Sequence, residues 1–161
     1  MSATSPSSSQ VGTPAIVPLS GAEEAVMRAF GRMIVVLPRV LDADLEREQR
    51  MSLSEYTVLR ILSEAPDRRM RMSELAVACN MSLSGMTRLV ARHVALGHLR
   101  RVPCVSDARG LNAVLTDAGL ARLQEAWPTH LASVRRHLFD HLGEIDLCRL
   151  AIALGEMAAE G

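Results

Sequence analysis

The sequence predicts a mainly α-helical fold that carries a small two-stranded β wing beside a helix-turn-helix. Three observations carry this reading. Apolar residues recur at steps of three and four from residue 20 to 50 and again after residue 116, the spacing of one helix face. Between those stretches come a helix of barely two turns, a three-residue connection and a longer helix. Beyond the longer helix the period drops to two over a pair of short segments. The 161 residues suffice for one domain of ordinary size, and at 48% hydrophobic they can fill a core, which excludes wholesale disorder. Every apolar run is interrupted by Arg or Asp before the ~18 residues of a membrane span, and no secretory leader pattern opens the chain. A cytoplasmic protein with no membrane partner is the expectation.

Taken in order, residues 1–19 are rich in Ser, Thr and Pro and read as a disordered arm. Residues 20–161 read as one domain. Val26, Phe30, Met33, Leu37 and Val40 share a helix face, with Pro38 expected to kink or restart the helix. Ser52–Ala65 is a second helix, with Ser52 or Ser54 as N-cap, Glu55 in the first turn and Pro66 just past the end. Ser73 is expected to cap the short helix to Cys79, and Asn80-Met81-Ser82 makes the turn. The longer helix runs from Leu83 to Leu96 and stops at Gly97. Leu75, Ala76, Met81, Met86, Leu89 and Val90 form the wedge between the two helices. Leu99–Cys104 and Leu111–Leu115 are the strands of the wing, joined by the loop 105–110. Thr116 caps a returning helix, with Asp117 in its first turn; it is expected to last nearly to the end and to bend near Trp127 at Pro128.

The terminal helices carry more apolar surface than so small a domain can cover. Stripes at Leu131, Val134, Leu138 and Leu142, and at Leu147, Leu150, Leu154 and Met157, join the N-terminal one. Burial against a second copy follows, as a homodimer seamed by Val26, Phe30, Met33, Leu138, Leu150 and Leu154. The dimerisation helices are then about 20–50 and 117–159, flanking a winged-helix lobe of about 52–116.

Net charge is zero, yet it is unevenly spread, and all 18 basic residues are Arg. Residues 60–109 hold nine arginines against four acids, a local +5 that the rest of the chain cancels. A basic centre between acidic flanks suits a chain whose middle meets phosphate. Cys79, Cys104 and Cys148 are odd in number and include no CxxC pair, which excludes a disulfide scaffold and the usual zinc-ribbon spacing. The chain has no Gly-rich phosphate loop, no His-Glu-x-x-His and no nucleophile elbow, so an enzyme is not the expectation.

The strings SELAVACNMSLSGMTRLVARHVALGHL and SDARGLNAVLTDAG resemble the MarR (multiple antibiotic resistance regulator) family of winged-helix transcription factors. The second is the more specific, with Asp-x-Arg-Gly at the wing tip and then Leu-Thr-x-x-Gly at the next helix. The resemblance implies a dimeric DNA-binding regulator, often a repressor released by a small phenolic or other lipophilic effector. Others of the family respond to oxidation or metal. It implies no cofactor, and no metal ligands are assigned.

Read residue by residue, the resemblance makes Leu83–Leu96 the recognition helix, its N-terminal end nearest the base edges in the major groove. Ser82, Ser84, Thr87, Arg88 and Arg92 are the expected DNA contacts there, Arg being suited to guanine O6 and N7. At the wing tip Arg109 is expected in the minor groove, Asp107 bracing neighbouring arginines and Gly110 easing the turn. Arg100 and Arg101 lie on opposite strand faces, so at most one faces the DNA backbone. The expected partner is a pseudo-palindromic double-stranded operator with half-sites ~10 bp apart. A winged-helix module binding only protein is the competing reading. Such a module has no need of Arg88, Arg92 and Arg109 together. Two positions depart from the family pattern: His93 stands where Leu is usual, and His98 where an apolar or aromatic residue is common. His137 and His141 are four apart and could share a metal, with Asp140 or Cys148, but more often such a pair is polar surface.

Overall fold

A computed structural model describes residues 17–104 and 107–159, without the side chains of 107–109. The expectations for residues 1–16 and for the side chains of Asp107 and Arg109 lie outside the described residues. The chain divides into two compact units, one ending at Ile34 and the other starting at Val35, within the first helix.

The first unit holds the start of α1 (Gly21–Gln49). Ser20 and Glu23 build a capping box: the Ser20 N–H donates to Glu23 Oε2 at 2.7 Å, and the Glu23 N–H donates to Ser20 Oγ at 3.3 Å. Val26, Met27, Phe30, Met33 and Ile34 are all exposed. Of the two outcomes expected at Pro38, a kink or a restart, the restart does not occur: α1 runs unbroken to Gln49. A proline inside a long helix forgoes one backbone bond without ending it.

The second unit contains α2 (Leu53–Glu64), β1 (Arg69–Arg71), α3 (Met72–Ala78), α4 (Leu83–Ala95), β2 (Leu99–Cys104), β3 (Asp107–Leu115), α5 (Asp117–His137) and α6 (Leu147–Ala159). Its core gathers Leu45, Tyr56, Val58, Leu59 and Leu62 with Leu75, Met86, Val90, Leu99, Ala113 and Ala126. The strands order β1-β3-β2, all antiparallel. The fold is therefore winged-helix as expected, with a third strand added to the wing sheet. Its register sets Arg69 against Val114, Met70 against Ala113 and Arg71 against Asn112. Three residues, Arg-Met-Arg, are too short a run for their alternation to mark a strand. Gly110 falls within β3 rather than in a loop, since that strand already begins at Asp107.

This extra strand explains a second difference. With Arg69–Arg71 drawn onto β3, α3 begins directly at Met72, and Ser73 lies inside its first turn instead of capping it. Asn80, at φ +50°, and the Met81 N–H donating to the Ala76 carbonyl at 2.8 Å turn the chain into α4. Gly97, at φ +77°, ends that helix in the left-handed region that a glycine enters at little cost. α5 passes through Pro128 and stops at His137, not near the end of the chain. A short 3-10 turn, Phe139–His141, and Gly143 at φ +49° follow before α6. Asp146 Oδ1 accepts the Cys148 and Arg149 N–H groups at 3.0 and 3.1 Å, restarting the helix. No helix among the described residues is long and apolar enough to cross a membrane.

Candidate nucleic-acid interface

The apolar side of α4 buries Met86, Leu89, Val90 and His93, which leaves Ser84, Thr87, Arg88 and Arg92 exposed on the other side. Ser82 is the N-cap, its Oγ accepting the Gly85 N–H at 3.1 Å and lying 3.2 Å from Ser84 Oγ. The Thr87 hydroxyl donates to the Leu83 carbonyl at 2.8 Å. Arg88 is exposed and makes no ion pair among the described residues. Arg101, from β2, donates to the Thr87 carbonyl at 3.0 Å and so ties the sheet to the recognition helix. Arg100, on the opposite strand face, is exposed.

Arg92 differs from Arg88, since its guanidinium donates to Oε1 of Glu55 on α2. Glu55 forms the capping box of its own helix: the Ser52 N–H donates to Oε2 at 2.8 Å, and the Ser52 hydroxyl lies 3.0 Å from the same oxygen. His93 Nε2 lies 3.2 Å from Oε1, the oxygen that also takes Arg92. Burial alone would raise the Glu55 carboxyl, but the Ser52 hydrogen bonds, Arg92 and His93 outweigh it and hold the group below the usual carboxylate range. His93 is 2% exposed, and burial pushes its imidazole below the ordinary range although Glu55 opposes the shift. Its Nδ1 lies 3.2 Å from His98 Nδ1, so the two histidines singled out in the sequence meet.

Thr116 joins three elements. Its hydroxyl lies 2.7 Å from the Gly97 carbonyl and 2.9 Å from that of His98, and its oxygen accepts the Gly119 N–H at 3.0 Å. Three residues on, a β-carbon at Gly119 would stand 2.2 Å from the His98 carbonyl oxygen. The Leu-Thr-x-x-Gly string is thus a close joint between the end of α4, the start of β2 and the start of α5.

The other sequence candidates fall elsewhere. His137 Nε2 meets Asp44 Oδ2 at 3.1 Å, while His141 lies in the 3-10 turn. Among the described residues no three His, Cys, Asp or Glu side chains are grouped as metal ligands. The Cys104 thiol donates to Asn112 Oδ1 at 3.2 Å across the wing. Of the residues placed in the expected dimer seam, Val26, Phe30, Met33 and Leu154 are exposed in the single chain, and Leu138 and Leu150 are half-buried. Sequence reasoning missed the reach of Glu55 to α4 and of Arg101 to Thr87. The Ser52-x-x-Glu55 spacing is readable as a cap, but nothing local announces its second task.

A helix-turn-helix with an arginine-bearing outer face, followed by a β ribbon tied to it, defines a winged-helix protein. The MarR family model matches residues 51–110. AbsC, a MarR family transcriptional regulator from Streptomyces coelicolor, is 36% identical, with a TM-score of 0.78 over 90% of this chain and 97% of its own. Sco3205, another from the same organism and solved in complex with DNA, is 34% identical, with a TM-score of 0.75 over 91% of this chain and 89% of its own. A mutant of E. coli MarR complexed with operator DNA shares the fold at 21% identity, with a TM-score of 0.68 over 83% of this chain and 93% of its own. No curated protein sequence matches. The chain belongs to the MarR family of transcriptional regulators.

Proposed function

We propose that this regulator is a homodimer that reads a pseudo-palindromic double-stranded operator and represses transcription until a small-molecule effector releases it. The observation that carries the reading is α4 itself. One face is locked into the core, and the other presents Ser84, Thr87 and Arg88 at the N-terminal end that a recognition helix turns toward base edges. Solved relatives bound to DNA support it. Asp107, Arg109 and Gly110 complete the interface at the wing tip, and Ser82 serves it by capping the helix. The lobe of about 52–116 then meets DNA, while helices 20–50 and 117–159 pair the protomers through Val26, Phe30, Met33, Leu138, Leu150 and Leu154. The effector half rests on α2 and α5. The Tyr56 hydroxyl and His130 Nδ1 are buried with no hydrogen-bond partner among the described residues, their rings stacked at 4.3 Å. A buried polar pair without partners offers hydrogen bonds to a small lipophilic guest.

Fluorescence anisotropy tests both halves. A labelled duplex from the chain's own upstream region is titrated beside a scrambled duplex at two salt concentrations. Arg88→Ala should weaken operator binding by roughly 10- to 100-fold and make the salt slope shallower by about one per protomer. Equal, feeble binding to both duplexes, followed by an empty genome-wide selection for bound fragments, overturns the regulator reading. Phenolic compounds that stabilise the protein should also release the duplex; stabilisation without release removes the effector half.

A further inference from the structure

We infer that Glu55 is a positioning residue that withholds Arg92 from DNA, so that this arginine divides its time between a buried carboxylate and a backbone phosphate. The inference rests on the DNA-binding reading above. Arg92 stands one turn beyond Arg88, so the two leave the helix on nearly the same side. Its side chain is 61% exposed, yet its guanidinium reaches inward to a carboxylate whose side chain is only 10% exposed. Glu55 cannot follow Arg92 outward. Its Oε2 faces the Ser52 N–H and hydroxyl at 2.8 and 3.0 Å, and its helix lies packed in the core. A phosphate must therefore take the guanidinium away from Oε1 or share it.

The departure is tolerable because His93 stays behind. Removing the only partner of a buried carboxylate would strand its charge, which is strongly destabilising. Here Oε1 also faces His93 Nε2 at 3.2 Å. The histidine pair sets the tautomer this needs. When neutral His93 donates from Nε2 to Glu55, its Nδ1 is an acceptor, and His98 Nδ1–H lies 3.2 Å away to donate to it. An apolar side chain at position 93 could offer neither bond. The two histidines thus form a standby partner for Glu55, and they make Arg92 a contact that can be lent to DNA.

A double-mutant cycle read by salt dependence tests this on the full-length chain. The probes are the selected operator duplex and a mixed-sequence duplex of about two helical turns. Glu55→Gln keeps the capping box, in which Gln also serves, but removes the charge that holds Arg92. Expected is binding tighter by about 3- to 10-fold at low salt, with a salt slope steeper by up to about one per protomer. Adding Arg92→Ala should cancel that gain and cost more in the Glu55→Gln background than in the native one. A folded Glu55→Gln chain with the wild-type slope overturns the inference, as does an Arg92→Ala loss equal in both backgrounds. Should Glu55→Gln lose its cooperative melt, Glu55→Asp replaces it with the same expected and overturning results, being one methylene too short to span Ser52 and Arg92 together. Wild-type protein that binds neither duplex sinks the DNA-binding reading and this inference with it, whereas wild-type binding with unchanged slopes sinks the inference alone.

Discussion

Asp44 shows how one polar side chain can hold two distant helices together. It is 5% exposed, and its carboxylate takes the Ser133 hydroxyl at 2.6 Å, Arg47 at 2.6 Å, His137 Nε2 at 3.1 Å and Arg136 at 3.7 Å. The Ser133 hydroxyl is the main reason its carboxyl is held down at about 2; Arg47 and His137 add to this, and burial works the other way. A carboxyl lowered below its unfolded value of about 3.9 contributes stability that is full above that pH and lost as the pH falls toward 2. Ser133→Ala should therefore cost roughly 1.5–3 kcal/mol in urea unfolding near neutrality. The gap from wild type should narrow as the pH drops from about 5 to about 2.5. A gap that ignores pH would show that the charge on Asp44 is not what Ser133 serves. None of this was legible in the sequence. Asp44 and Ser133 lie 89 positions apart, and a helical stripe counted on apolar residues passes over the buried Thr129 and Ser133. Arg88 was legible, because exposure opposite an apolar stripe is a local property.

At the scale of elements, the sequence located α2, α4, β2 and the start of α5 closely, and the reason is chemical. Each boundary carries its own signal: Ser52, Ser82 and Thr116 accept an N–H from the first turn, and Gly97 takes positive φ at the end of α4. The strand β1 had no such mark, since it exists only by virtue of its pairing with β3. The restart at α6 was missed for a related reason: apolar residues continue across Leu138 and Leu142 while the backbone leaves the helix. The joint at Gly119 permits a sharp test. An added β-carbon would stand 2.2 Å from a backbone carbonyl oxygen and 2.7 Å from Leu115 Cδ1, and the carbonyl cannot swing aside as a flexible side-chain end would. Gly119→Ala should lower stability by about 1–3 kcal/mol or more, measured as a fall in Tm. A variant that melts with the wild type would mean that α5 and β2 can separate freely.

Over the whole molecule, apolar surface is the outstanding debt of the single chain. α6 has no buried residue, and Leu147, Ile152, Leu154 and Met157 are 37–62% exposed on it, with Ile145 just before it. Patches of this kind mark association surfaces. Leu154→Glu should yield monomers in sedimentation equilibrium and weaken operator binding by at least about 100-fold, because each half-site would then be held alone. Dimers that persist in the variant would place the seam elsewhere. The sequence disclosed that the terminal helices carry surplus apolar faces. It could not disclose which faces meet, since periodicity describes one helix and an interface is a relation between surfaces. The same limit applies to charge. The +5 of residues 60–109 was countable, but the fold has already committed part of it, Arg60 to Glu64, Arg68 to Asp117 and Arg92 to Glu55.

The joint beneath Gly119 can also be considered as a bearing for a beam. α5 has 21 residues, which at the helical rise makes it about 30 Å long. An angular play of only about 2° at the clamped end would displace the far end by about 1 Å, enough to open a hydrogen bond. Near that far end Ser133 meets Asp44 at 2.6 Å. The absence of a single β-carbon next to the wing thus sets the mechanical tolerance within which a contact most of a helix away can form.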